Sequence, residues 1–367
     1  MAHLLLFLNP CENSQRRRGE RFVIEIDGSE KGGSGTILRL SVAFSAVIQE
    51  PVHIFNIREN RPEPGLKPQH LEAVLTAARL CNADVKGAEI DSREIWFKPN
   101  SIMGGRFEAE IGTAGSIPML LMTVLPICIQ AREKVELHIS KGGTDVSHSP
   151  TINYIRFVLL PVLHRMGLTA TLQVEKYGYY PKGMGEVRVS VEPCKNLKPL
   201  CLERFGAFQK VHGVSVCTFL ADRKVAARQA DAAAEYLSQK GFETDIQVVN
   251  DKSNPLQKGS SMTLWIETDT GVILGSDAIG ELKKTSEAVG REAAEKLLAE
   301  VSTQSTVDIH LADLLVPYMA LSQGNSSFLT RMLTEHLQTN IWLSERMLNV
   351  HFSVTSLNGL YKIEKHS

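Results

Sequence analysis

The chain has 367 residues, 43% hydrophobic and 22% charged, with a formal net charge of −1. That is enough apolar material for two or three packed domains. The balanced charge excludes binding of nucleic acid through a global basic field, so contact with a polyanion must come from a local cluster or from recognition of one strand end. The six cysteines, Cys11, Cys81, Cys128, Cys194, Cys201 and Cys217, form no CxxC pair and no metal-finger spacing, which fits a reducing compartment and an expected cytoplasmic location. Residues 4–8 are too short for a signal core, and no apolar run reaches the ~18 residues of a membrane helix, so no membrane contact is expected.

In chain order, residues 1–21 read as a polar, flexible extension whose basic run, Arg16, Arg17 and Arg18, is a solvated tail rather than an RNA site. Residues 22–26 read as a strand. The segment IDGSEKGGSGTILR, 26–39, has the order strand, glycines, helix, in which backbone N–H groups converge on a phosphate at a helix N-terminus. It is neither a Walker loop nor a GxGxxG fingerprint, and a tight structural turn accounts for its glycines as well. Arg39 falls in the first turns of an apolar helix, 36–49, where a charge needs a buried partner or a phosphate.

A strand at 52–57 leads into RENRPEPGLKPQHL, 58–71. Arg58 and Arg61 stand three residues apart, and their guanidinium forks match phosphate oxygens bidentately. Pro62, Pro64, Gly65 and Pro68 stiffen the loop that carries them. A solvated loop with ordinary surface arginines has the same composition. The helix 68–81 opens with Gln69 and His70 and aligns Leu71, Val74, Leu75 and Ala78 on one face. A strand at 94–98 follows.

The order then repeats: strand 107–111, the turn GTAGS (112–116), helix 117–130, strand 135–140, the GGTD loop (142–145), helix 152–166, and strands 169–176 and 185–191. Between the last two lies GYYPKGMGEV, 178–187, read as a structural turn. Residues 199–282 read as an α/β module of their own: strand 210–219, helix 222–240, and strands 244–249, 261–268 and 271–275. The polar segment 251–259 reads as a mobile loop. A third unit follows, with helices at 307–321 and 333–347 and a hairpin turning at Asn358-Gly359. The expected class is therefore α+β, an α/β sandwich of three units, each with two helices on a small four-stranded sheet. The expected division is 1–21, 22–198, 199–282 and 283–367.

The segment 58–71 resembles the RNA 3′-terminal phosphate cyclases, whose early loop has the form R-x-x-R-x-x-P-G-L-x-x-Q-H-L. Every fixed position is met here, from Arg58 and Arg61 to Gln69, His70 and Leu71, and the resemblance runs from about residue 24 to the C-terminus. It implies a thioredoxin-like fold without redox cysteines for the inserted module. It also implies that His336, in the H-L-x-T-N motif His336 to Asn340, is a nucleophile that accepts AMP; without the resemblance, a lone histidine there reads as an ordinary core or surface residue. Asp313, Met319, Ala320 and Leu321 match a nucleotide-side segment, in which Leu314 replaces a glutamine and His310 stands where a tyrosine is usual. For Asp313, a helix-surface acid is the plain alternative. The GTAGS turn matches a nucleotide-side turn, and Met122 stands where a glutamine often does.

One departure concerns the glycine loop, where Gly32 replaces the family's glutamate and Thr36 its glutamine. The resemblance thus implies ATP as substrate with Mg²⁺ or Mn²⁺. The ion's ligands are not legible, and Glu30 is the nearest candidate. Arg39, Arg58, Arg61, Gln69, Met122, His310, Asp313 and Leu314 would line the nucleotide and phosphate site, and RNA 3′-phosphate ends would be the partner. Two other readings stay open: a non-catalytic, cyclase-like factor in RNA processing or ribosome assembly, favoured by the altered loop, and a small-molecule transferase of the enolpyruvyl type, which lacks these motifs.

Overall fold

A computed structural model describes residues 23–367; the extension 1–21, its arginine run and Phe22 lie outside them. The first unit runs β1 (Ile24–Asp27), α1 (Gly35–Ile48), β2 (Val52–Phe55), α2 (Pro68–Cys81), β3 (Asp84–Lys86) and β4 (Ile95–Lys98). Its sheet has the order β1-β2-β4-β3, with β1 parallel to β2 and the other pairs antiparallel. The second unit repeats that plan. It runs β5 (Gly105–Glu110), α3 (Ile117–Cys128), β6 (Val135–Gly142), α4 (Ile152–Tyr154), a π-helical turn (Ile155–Leu159), α5 (Leu160–Arg165), β7 (Ala170–Lys176) and β8 (Gly185–Val191). Its order is β5-β6-β8-β7. The π turn sits just before Pro161, which has no N–H to continue the α-helical ladder.

The third unit opens with β9 (Cys201–Leu202) and is then interrupted by β10 (Lys210–Thr218), α6 (Val225–Ser238), β11 (Glu243–Asp251), β12 (Gly259–Glu267), β13 (Ile273–Ile279) and α7 (Ser286–Thr303). It resumes with α8 (Ile309–Leu321), β14 (Ser326–Thr330), α9 (Glu335–Leu348), β15 (His351–Leu357) and β16 (Leu360–His366). β9 pairs in parallel with β14, so the third sheet, β15-β16-β14-β9, has the same connectivity as the other two. The insertion therefore lies inside the third unit, between its first strand and first helix, and not between units two and three. The boundaries expected at 199 and 282 cut across this arrangement. β9 belongs to the third sheet, and α7 packs on α6, β12 and β13. The insert sheet, β11-β10-β12-β13, has β10 parallel to β11 and antiparallel to β12.

Local patterns explain the layers. In β8, Val187, Val189 and Val191 point inward while Glu186, Arg188 and Ser190 face out, the two-residue period of a sheet covered on one side. α1 is buried on nearly every side, from Ile37 to Ala46, because it packs on α2, α3 and α9 at once. A helix apolar all round belongs in the interior, and one contiguous core runs from the sheets through this helical layer. The interior placement makes Arg39 exceptional: it is a cation in the middle of that layer, 7% exposed.

Candidate active site

α1 and α2 begin without a side-chain cap and without an acid in the first turn. By contrast, Ser116, Asp308 and Thr334 cap α3, α8 and α9. Two helix N-termini with uncapped N–H groups are suited to an anion. They meet closely: a Cβ on Gly35 would lie 2.9 Å from Nη1 of Arg39 and would strike the imidazole of His70. Glycine at 35 is what allows the α1 N-terminus to reach both side chains.

Several hydrogen bonds hold the loops around this point. Asp27 accepts from the backbone N–H of Ser29 at 2.9 Å, from its hydroxyl at 2.7 Å and from Asn56 at 3.1 Å, which fixes the start of the glycine loop. Asn60, on the arginine loop, donates to the Ser29 carbonyl at 2.9 Å. Gln69 accepts from the Ser116 N–H at 2.8 Å, tying α2 to the GTAGS turn. Thr339 donates to the Lys31 carbonyl at 3.4 Å, tying α9 to the glycine loop. Gly32 has φ +83°, and a side chain there would fall on the Glu335 carboxylate.

Arg39 donates to Thr36 Oγ1 at 3.4 Å and lies 3.3 Å from the Met119 sulfur. It makes no ion pair among the described residues. Burial, and then the charge of Arg58, lower its pKa to about 10. His70 is 4% exposed, and its Nδ1 has no hydrogen-bond partner among the described residues. Burial, with Arg39, Arg58 and Lys67 nearby, lowers its pKa to about 2, so it is a neutral imidazole. His336 sits on the first turn of α9 and faces solvent. The protein around it and the charges of Arg39, Arg61 and His310 lower its pKa, while Glu335 opposes them. An imidazole held neutral beside cations is a competent nucleophile toward an anionic phosphorus centre.

The expected site residues divide into groups. Arg39, Met122, Asp313 and Leu314 line one narrow cleft together with Thr36 and Asn340, about 30 Å³ in volume, room for a water or two. Asp313 bonds to the Thr334 hydroxyl, and its carbonyl accepts from Asn340 at 2.7 Å. It is half-buried, and burial raises its pKa to about 7. Arg61 is exposed and free of ion pairs among the described residues. Arg58 instead turns back on its own loop, donating to the carbonyls of Glu63 at 2.9 Å and Gly65 at 3.1 Å. Glu30 is exposed on the 3-10 turn Glu30–Gly32. Among the described residues, no group of three His, Cys, Asp or Glu side chains could hold a metal ion.

Sequence reasoning left His70 and Glu335 out of the site. His70 had a signal, its place in the quoted motif beside Gln69. Glu335 had none, because its proximity to Gly32 links residues about 300 positions apart.

A family model described as RNA 3′-terminal phosphate cyclase matches residues 30–354. A protein of Pyrobaculum aerophilum named RNA 3′-terminal phosphate cyclase is 44% identical over 341 residues, covering 93% of this chain and 97% of the relative. Proteins of the same name from Methanosarcina acetivorans and Pyrococcus furiosus are 42% and 43% identical, over 93% and 90% of this chain and 99% and 95% of the relatives. Among the described residues no helix is long and apolar enough to cross a membrane.

Proposed function

The chain belongs to the RNA 3′-terminal phosphate cyclases, ATP-dependent enzymes that convert an RNA 3′-phosphate to a 2′,3′-cyclic phosphate, and from that premise we propose that His336 is its nucleophile. A ring nitrogen of His336 attacks the α-phosphorus of ATP, and the bond to the β-phosphate oxygen breaks to release pyrophosphate. An RNA 3′-phosphate oxygen then attacks the same phosphorus, displacing the imidazole and giving an RNA–adenylate. The neighbouring 2′-hydroxyl attacks the terminal RNA phosphorus, closing the ring and expelling AMP.

The observation that carries this reading is the position of His336, on a solvent-facing turn at the start of α9, where the charges of Arg39 and Arg61 are felt by its imidazole. Those guanidinium groups and the open N-termini of α1 and α2 would stabilise charge that grows on phosphate oxygens in each step. His70, held neutral against Gly35, would accept or donate one hydrogen bond without adding a competing charge. Arg58 would act by shaping the loop that presents Arg61. Met122, Asp313 and Leu314, opposite Arg39, would form the nucleotide side.

Among the described residues, no group of three His, Cys, Asp or Glu side chains builds a resident cation site. Mg²⁺ or Mn²⁺ would arrive with the triphosphate, with Glu335 or Glu30 supplying at most a ligand. The five free cysteines among the described residues, Cys81, Cys128, Cys194, Cys201 and Cys217, support a reducing cytoplasm as the compartment.

The test is incubation with ATP labelled at the α-phosphate. Wild-type protein should take up acid-labile, alkali-stable label and pass it to RNA bearing a 3′-phosphate. The His336→Ala protein should take up none, and label retained in that variant would overturn the assignment.

A further inference from the structure

The turn GYYPKGMGEV and the loop 251–259 lie in different units of the chain, yet they are locked together. Asn254 donates to the carbonyls of Tyr177 at 2.7 Å and Gly183 at 3.2 Å. The amide of Gln257 does more. Its Nε2 donates to the carbonyls of Tyr180 and Lys258, each at 3.0 Å, and its Oε1 accepts from the Lys182 N–H at 3.3 Å. Gly259 lies directly beneath the ring of Tyr179, where a Cβ would not fit. The loop expected to be mobile is therefore pinned by its own amide side chains.

This clasp displays an unusual group. Tyr179 is buried, but Tyr180 is 77% exposed and Leu256 55% exposed. Lys182 and Lys258 are exposed as well, and neither forms an ion pair among the described residues. An aromatic ring held out on a fixed turn, with unpaired cations on both strands of the clasp, has the parts of a single-strand binding platform: a stacking surface and charges for the backbone. The platform also leads to the active site. Gly183 abuts the GTAGS turn, where a Cβ would stand 2.7 Å from the Thr113 carbonyl oxygen and 2.9 Å from Ala114 Cα. That turn is bonded through Ser116 to Gln69, next to His70.

We propose that Tyr180, Lys182 and Lys258 form a subsite for the single-stranded RNA just upstream of the 3′-phosphate, with Tyr180 stacking on a base and the lysines meeting backbone phosphates. The proposal rests on the cyclase reading for the strand end and adds where the rest of the strand runs. A protein of net charge −1 needs such a local cluster to hold an RNA, and stacking makes the site tolerant of sequence. Gln257 is a positioning residue, setting the distance between the two halves of the clasp.

The experiment compares a 3′-phosphorylated dinucleotide with a 3′-phosphorylated single-stranded decamer, measuring direct binding by fluorescence anisotropy and cyclisation by kcat/KM. Tyr180→Ala should lower affinity and kcat/KM for the decamer roughly tenfold, the loss of one base stack, and leave the dinucleotide and self-adenylylation unchanged. Lys182→Ala with Lys258→Ala should flatten the dependence of log affinity on log salt by about 1.4, for two charges on a single strand. Gln257→Ala should reproduce part of the Tyr180→Ala loss, and Gln257→Glu should not restore it, since a carboxylate cannot donate to the two carbonyls. Decamer binding by Tyr180→Ala and by the double lysine variant equal to wild type would overturn the proposal. Absence of cyclisation by wild type would count against the cyclase reading instead, and the anisotropy arm would still decide the subsite.

Discussion

The Glu335 carboxylate occupies the space where a side chain at Gly32 would be. The glycine loop of the first unit thus receives an acid from the first turn of α9, one residue before His336. Placing any side chain at 32 would displace that acid. Gly32→Ala should cost about 1 kcal/mol through its positive φ, since the flexible Glu335 side chain can swing aside. The larger effect should fall on His336, whose imidazolium Glu335 favours. In both Gly32→Ala and Glu335→Gln the His336 titration, followed by NMR of the imidazole, should move to lower pH. An unchanged titration in Gly32→Ala would mean that the acid does not depend on the glycine.

On the proposed function, Arg39 would exchange stability for a phosphate contact. It is a buried cation whose hydrogen-bond neighbours are a hydroxyl and a thioether, with no ion pair to compensate it among the described residues. Arg39→Met should stabilise the fold by about 1–3 kcal/mol in urea unfolding, by the argument that hydrophobic replacement of a buried charge is often stabilising. The same variant should lose adenylylation by at least about 100-fold, the scale of one preorganised charge contact. ATP should raise the melting temperature of wild type but not of Arg39→Met. A variant that is destabilised and still responds to ATP would place the phosphate elsewhere.

Much of this was legible before the structure. The 68–81 helix and the 185–191 strand fall where their patterns place them, because a proline start and strict alternation are local signals. The three-unit plan was visible in element order. What could not be read was whatever depends on distant pairing. Two-residue β9 has no strand signal of its own and exists through β14, so the insertion point was displaced. Arg58 and Arg61 look alike in sequence, but Arg58 adopts φ +56° and folds onto its own loop's carbonyls, while Arg61 forms no ion pair among the described residues. In sequence Gln69 looks like a ligand-facing residue, but its side-chain carbonyl oxygen accepts from the Ser116 N–H.

His70 makes stability depend on pH. Its folded pKa, about 2, lies far below the 6.5 of a free imidazole. The unfolded chain therefore binds a proton that the folded chain refuses once the pH falls below about 6.5, so stability decreases as pH drops. The sign is fixed by the unfolded chain binding more protons than the folded one, and the slope contributed by one such group approaches about 1.4 kcal/mol per pH unit. His70→Gln should flatten the urea-derived stability curve between roughly pH 6 and pH 4 by up to that slope. Identical slopes in variant and wild type would show that His70 accepts a proton in the folded state.

The acid limb of adenylylation should report His336. Only the neutral imidazole can attack, and surrounding protein and the charges of Arg39, Arg61 and His310 lower its pKa below the ordinary 6.5. Labelling should therefore persist at a pH where an ordinary histidine is half protonated, and fall only below it. Arg61 is exposed and forms no ion pair among the described residues, so Arg61→Gln should leave unfolding within about 0.5 kcal/mol of wild type. Removing its charge should raise the His336 pKa and move the acid limb toward neutral pH, opposite in direction to the Glu335→Gln shift. The rate at the pH optimum should also drop, since Arg61 would no longer face the phosphate. Opposite shifts in two variants whose charges act on one imidazole with opposite sign identify that imidazole as the titrating nucleophile; a limb that stays fixed in both would assign it to another group.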